Sequence, residues 1–207
     1  MGGGYNGLMP GLAATLYRRS QGRQVRVTVL PASFSSNPTT ISAEERSQNL
    51  QAAEARRRAI EAALQAAAPS GGSCSVALAP ICTRADAENT RNLALFGPEL
   101  DAAFLLGGDQ AVAMQVLAGT PVEAALYDLH CRGGVIAGTS AGAGMQSRTM
   151  LAGYADDLDA PHPLEHGSVS LWDHPQARGL AFGQPGVIID QHFFQRGRLG
   201  RLLEAIV

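Results

Sequence analysis

Aromatic residues are scarce in this chain, 5% of its 207 positions, and charged residues make up only 16%. Few aromatics leave little on which nucleobases could stack. A formal net charge of -2 exerts no general pull towards nucleic acid or an anionic membrane surface. The three cysteines, Cys74, Cys82 and Cys131, stand in no C-x-x-C spacing. An odd number so placed makes neither a disulfide frame nor a zinc site, and points to reduced thiols in the cytoplasm. No apolar run reaches the length of a membrane span, and no charged-then-apolar leader opens the chain. The Met1-Gly2-Gly3-Gly4 start has Asn6 where a myristoylation site has Ser or Thr. The phosphate signature G-x-x-x-x-G-K-[ST] is missing. His162, His166 and His174 could suit a metal, but Pro161, Pro163 and Pro175 interrupt helical spacing there. The expectation is no metal, no cofactor, no nucleic acid and no membrane.

What is present is a 45% apolar fraction and an alternation of strand-like and helix-like stretches. Residues 10–20 read as a helix and Val25–Leu30 as a strand. Ser42 with Glu45 forms a capping box, opening a helix that runs to about Ala67. Its inner face is Leu50, Ala53, Ile60, Leu64 and Ala67, and Arg56-Arg57-Arg58 reads as a solvated face. Strands are expected at 74–78 and 102–106, with helices over 88–95, from 110 through Val116, and from Pro121 to Gly133. Residues 153–186 read as a long irregular connection, Val187-Ile188-Ile189 as a last strand, and Gln195 to Ile206 as a last helix. This order predicts one α/β domain over residues 1–207, a three-layer sandwich with a mostly parallel sheet.

The centre of the sequence is Val135-Ile136-Ala137-Gly138-Thr139-Ser140-Ala141-Gly142-Ala143-Gly144. A short apolar strand runs straight into G-x-S-x-G, and Met145-Gln146-Ser147 can continue as a helix. That pattern is a nucleophile elbow, a tight turn that lifts a serine Oγ above the sheet. The same small residues also suit a turn where a helix packs closely on a strand. His192 follows the strand at 187–189, at the sheet rim where open parallel sheets bind ligands. There it can serve as general base to Ser140. Arg196, Arg198 and Arg201 are dense for so sparsely charged a chain, and such guanidinium forks suit substrate carboxylates.

Three blocks, Gly107-Gly108-Asp109-Gln110, Gly138-Thr139-Ser140-Ala141-Gly142-Ala143 and Asp190-Gln191-His192-Phe193 with Gln195-Arg196-x-Arg198-Leu199-Gly200-Arg201-Leu202, resemble the signature blocks of the cyanophycinase family in the same order. The resemblance implies a fold like flavodoxin and the class I glutamine amidotransferases, and a homodimer. It implies cleavage of cyanophycin, a poly-aspartate with arginine on each β-carboxyl, to β-Asp-Arg dipeptides. By this resemblance Ser140 is the nucleophile and His192 the base. The amides of Gly108 and Ala141 form the oxyanion hole. Gln110, Asp190, Gln191, Arg196, Arg198 and Arg201 line the substrate pocket. The family's catalytic acid falls well beyond the histidine, past Val207, and its first strand falls before Gly2. The chain is therefore expected to be a fragment trimmed at both ends, with Asp173, Glu165 or Glu204 as stand-in acids. An isoaspartyl or α-aspartyl dipeptidase, and a non-catalytic binding module that keeps the pocket, are the alternatives.

Overall fold

The computed structural model describes residues 9–154 and 169–206. In chain order the first elements are α1 (Met9–Ser20), β1 (Val25–Leu30), α2 (Ala43–Ala66) and β2 (Cys74–Leu78). Next come α3 (Arg84–Glu88), α4 (Thr90–Leu93), β3 (Ala102–Leu105), α5 (Gln110–Leu117), α6 (Pro121–Cys131) and β4 (Val135–Gly138). The chain continues with α7 (Ala141–Gly144), β5 (Met150–Tyr154), β6 (Val169–Trp172) and α8 (Leu199–Ile206). Strands β1 to β4 form a four-stranded parallel sheet ordered β2-β1-β3-β4. Parallel pairing needs a crossover between strands, and helices supply it on both faces.

The alternation of side chains along β3 shows how the layers are made. Ala103 and Leu105 point into a core shared with Ala113, Met114 and Leu117 of α5 and Val122, Leu126 and Leu129 of α6. Ala102 and Phe104 point the other way, into a core with Ala13 and Leu16 of α1 and Ala53, Ile60 and Leu64 of α2. A strand buried on both faces must be apolar at every position, which is why residues 102–106 read as one unbroken apolar run.

The caps follow local chemistry. Ser42 accepts from the Glu45 amide at 3.0 Å. The Glu45 carboxylate, however, turns outward to the Ser36 amide and hydroxyl at 2.8 and 2.9 Å, so only half of the capping box forms. Leu50 of α2 is half-buried, and Ala67, the C-cap just beyond the helix, is exposed. Arg57 is not solvated. It lies across Glu54 and Glu61, both at 2.8 Å, and donates to the Val76 carbonyl at 2.9 Å.

Several expectations are corrected. The helix expected over 88–95 is two short helices, α3 and α4, and a 3-10 turn at Ala94–Phe96. The break falls at Asn89, whose side chain caps Arg91. Val187-Ile188-Ile189 is not a strand. The Ile189 amide donates to Ser147 Oγ at 2.7 Å and the Val187 amide to the Gln184 carbonyl at 3.2 Å, leaving no ladder to join. The irregular region contains an antiparallel pair, β5 with β6. The helix behind the elbow stops at Gly144, and the last helix begins at Leu199 rather than Gln195. No described helix is long and apolar enough to cross a membrane.

Candidate active site

Strand β4 delivers Gly138 into a turn so tight that a Cβ there would lie 2.1 Å from the Gly142 carbonyl oxygen. A Cβ on Gly142 would meet the Leu105 carbonyl oxygen at the same distance, 2.1 Å. Both contacts are impossible for any other residue, so the two glycines of G-x-S-x-G are required by backbone crowding. Between them Ser140 sits at φ 53, ψ -121, a strained conformation for a residue with a side chain. That strain is the expected mark of a nucleophile elbow.

A second loop runs beside the elbow. Gly107 lies so near that a Cβ on it would be 2.9 Å from Ser140 Cβ. Gly108 has φ +148, and a Cβ there would strike the Ser33 carbonyl oxygen at 2.1 Å. Ser33 clamps this loop. Its hydroxyl donates to the Leu106 and Gly107 carbonyls at 2.9 and 2.8 Å, and its carbonyl accepts from the Asp109 amide at 2.8 Å. Asp109 then caps α5 through Ala111 and Val112. Ser33 is a supporting residue that lies outside the three sequence blocks.

Ser140 and His192 are brought together: His192 Nε2 lies 2.9 Å from Ser140 Oγ. Gln191 Oε1 is a second neighbour, accepting from Ser140 Oγ at 3.1 Å. His192 itself has φ 52, so both ends of this contact ride on strained turns. Burial, and then the nearby Arg196 and Arg198 charges, hold the His192 pKa below its ordinary value of 6.5. A depressed pKa keeps the imidazole neutral and able to accept a proton.

The remaining residues named from the sequence divide into two groups. Arg196 is exposed, and its amide donates to the His192 carbonyl at 3.0 Å. Gln110 is 7% exposed, and its amide nitrogen donates to the Leu151 and Ala152 carbonyls at 2.9 and 3.0 Å, tying α5 to β5. Asp190, Arg198 and Arg201 lie in the interior. Arg201 pairs with Asp190 through Nη2, and through Nε at 3.3 Å, while Arg198 Nη1 donates to the Gln191 carbonyl at 2.6 Å. Arg201 also packs over the Tyr154 ring, 5.5 Å from its centroid.

The stand-in acids are elsewhere. Asp173 accepts from Thr149 at 2.9 Å and faces Arg148 at 3.7 Å, and Glu204 accepts from the Val169 amide at 2.8 Å. Glu165 lies outside the described residues, as do His162 and His166. The Nδ1 of His174 accepts from the Gln176 amide at 3.3 Å. Among the described residues, the recorded hydrogen bond of the His192 ring is the one to Ser140.

No family model matches the chain. The cyanophycinase of Trichormus variabilis is 41% identical over 105 residues, 50% of this chain and 32% of the relative. That of Synechococcus elongatus is 36% identical over 127 residues, 59% of this chain and 35% of the relative. This chain is similar to cyanophycinases. The similarity covers only about a third of each relative's length. Among solved structures, a peptidase from an acI-B1 Actinobacterium matches with a TM-score of 0.60 at 17% identity. That match covers 100% of this chain and 71% of the peptidase. At such identity the likeness is one of fold.

Proposed function

We propose that this chain carries the nucleophile and base of a serine exopeptidase that cleaves cyanophycin to β-Asp-Arg dipeptides. The observation that carries the reading is the 2.9 Å contact between Ser140 Oγ and His192 Nε2 on a strained G-x-S-x-G turn. Similarity to cyanophycinases supports the substrate class. In the reading, Ser140 Oγ attacks the scissile carbonyl carbon as its proton passes to His192 Nε2. The backbone amides of Ala141 and Gly108 face the developing oxyanion. His192 then gives the proton to the leaving amine, and water, deprotonated by the same ring, releases the acyl group from Ser140.

The substrate repeats two charges, a guanidinium and a carboxylate, on every residue of its backbone. An exposed Arg196 offers a planar fork to a substrate carboxylate beside the base. The amides of Gln110 and Gln191 are the uncharged members of the same pocket. The homodimer and the cytoplasmic setting belong to this reading too. They rest on the family resemblance and on thiols that stay unpaired at Cys74, Cys82 and Cys131.

The test is digestion of insoluble cyanophycin, with β-Asp-Arg followed by mass spectrometry, beside Ser140→Ala and His192→Ala. The reading predicts dipeptide from the parent and a loss on the order of 1,000-fold or more in either variant. Dipeptide from folded Ser140→Ala at the parent's rate would contradict it. Cleavage of short isoaspartyl peptides without attack on the polymer would instead favour the dipeptidase alternative.

A further inference from the structure

Three neighbouring strands end side by side: β1 pairs with β3 at Leu30 and Leu105, and β3 with β4 at Leu105 and Gly138. Just past their carboxyl ends stand, in the same order, Ser33, Gly108 and Ser140. The Phe34 amide donates to the Pro31 carbonyl at 2.9 Å, so a tight turn directly after β1 holds Ser33 against the end of β3. The far side of that turn is tied down by the Ser35 hydroxyl, which donates to the Cys82 carbonyl at 2.7 Å. Ser33 is 3% exposed. Its hydroxyl has one proton, shared between the Leu106 and Gly107 carbonyls at 2.9 and 2.8 Å. Its own carbonyl takes the Asp109 amide at 2.8 Å. The peptide between Gly107 and Gly108 is trans, so its N–H points opposite to its C=O. With the Gly107 carbonyl turned to Ser33, the Gly108 amide faces away from Ser33. Among the described residues no recorded hydrogen bond has that amide as donor. The same loop reaches Ser140, because a Cβ on Gly107 would lie 3.5 Å from Ser140 Oγ.

We infer that Ser33 is a positioning residue for the oxyanion hole: by anchoring the Gly107 carbonyl it turns the Gly108 amide towards the oxygen that becomes charged beside Ser140. The inference rests on the reading of Ser140 as nucleophile and of Gly108 as an oxyanion donor. The physical demand is one of direction. A donor lowers the barrier only when it is aimed before the charge develops. Two successive glycines carry no side chain to hold that aim, and each visits both signs of φ at little cost. Ser33 supplies the hold from the neighbouring strand. Without its hydroxyl the Leu106 and Gly107 carbonyls lose a shared partner. The peptide between the glycines is then free to turn over, which puts a carbonyl oxygen where the amide should be.

The experiment compares the parent with Ser33→Ala and Ser33→Cys. It measures kcat and KM on cyanophycin, the pH dependence of kcat/KM, and the rate at which a fluorophosphonate labels Ser140. The reagent's phosphoryl oxygen needs the same donors, while its reaction needs no peptide pocket. Ser33→Ala keeps the backbone carbonyl that accepts from Asp109 and loses only the hydroxyl. The expected result is a loss on the order of 10- to 100-fold in kcat and in labelling rate, with KM little changed. The acid limb, set by His192, stays where it is in the parent. Ser33→Cys, whose thiol is a weak donor, falls between. If Ser33→Ala does not fold, Ser33→Cys carries the comparison, and it too must lose kcat. A folded variant with the parent's kcat, a loss confined to KM, or a displaced acid limb overturns the inference. A parent that neither labels nor cleaves sinks the reading of Ser140 and the inference with it. A parent that labels no faster than a folded Ser33→Ala sinks the inference alone.

Discussion

His192 is where the electrostatics of the site become measurable. Burial disfavours the imidazolium, and the positive charges of Arg196 and Arg198 disfavour it further. The base form therefore persists to more acid pH than an ordinary histidine allows. The acid limb of kcat/KM is expected below pH 6.5, and Arg196→Gln should move it upward. The same group bears on stability with a defined sign. Unfolding raises the pKa to its ordinary value, so the unfolded chain binds more protons in the window below it. Stability from this residue is therefore constant above pH 6.5 and falls as pH drops from there towards the native pKa. Urea unfolding of the parent and His192→Gln across that window checks it, the variant losing this part of the slope. The turn that carries Ser140 was legible in the sequence because crowding leaves Gly138 and Gly142 no alternative. The buried arrangement of Arg198 and Arg201 was not, since a run of arginines near a helix start looks the same whether its forks face solvent or an interior carboxylate.

At the scale of elements, the segment that follows β6 is tied to the α5–α6 side of the molecule by one buried pair. Arg178 donates to Glu123 Oε1 at 2.6 Å and Oε2 at 3.0 Å, with side chains 18% and 6% exposed. Glu123 also accepts from the Gly119 amide at 2.7 Å, closing the turn into α6. Arg178→Ala leaves that carboxylate buried without its cation, a loss of about 3 kcal/mol. Urea unfolding monitored by circular dichroism reads it directly. Sequence reading found α1, β1, α2, β2, β3, α5, α6 and β4 because each has its own periodicity or cap. It missed β5 and β6, which are only five and four residues long, too short to show a period of their own. It placed a strand at 187–189 because Val-Ile-Ile has strand propensity, whereas two competing hydrogen bonds decide its backbone.

For the whole molecule, the four-stranded parallel sheet puts the elbow after β4 and the loop at Gly107-Gly108 after β3, on adjacent strands. Their carboxyl ends share one rim, so Ser140, Gly108 and the turn at His192 gather where open α/β sheets place ligands. Beside that rim α8 exposes apolar side chains at Leu199 (57%), Leu203 (40%) and Ile206 (65%). Leu203→Glu should lower binding of an apolar dye such as ANS without changing the labelling of Ser140. The central claim is that Ser140 is a nucleophile activated by His192. Intact-mass and peptide-mapping analysis after fluorophosphonate treatment tests it most directly, with Ser140→Ala and His192→Ala as companions. The account predicts one adduct, mapped to Ser140, absent in Ser140→Ala and much slower to form in His192→Ala. An adduct at another residue, or labelling of Ser140 that proceeds equally fast without His192, would contradict it.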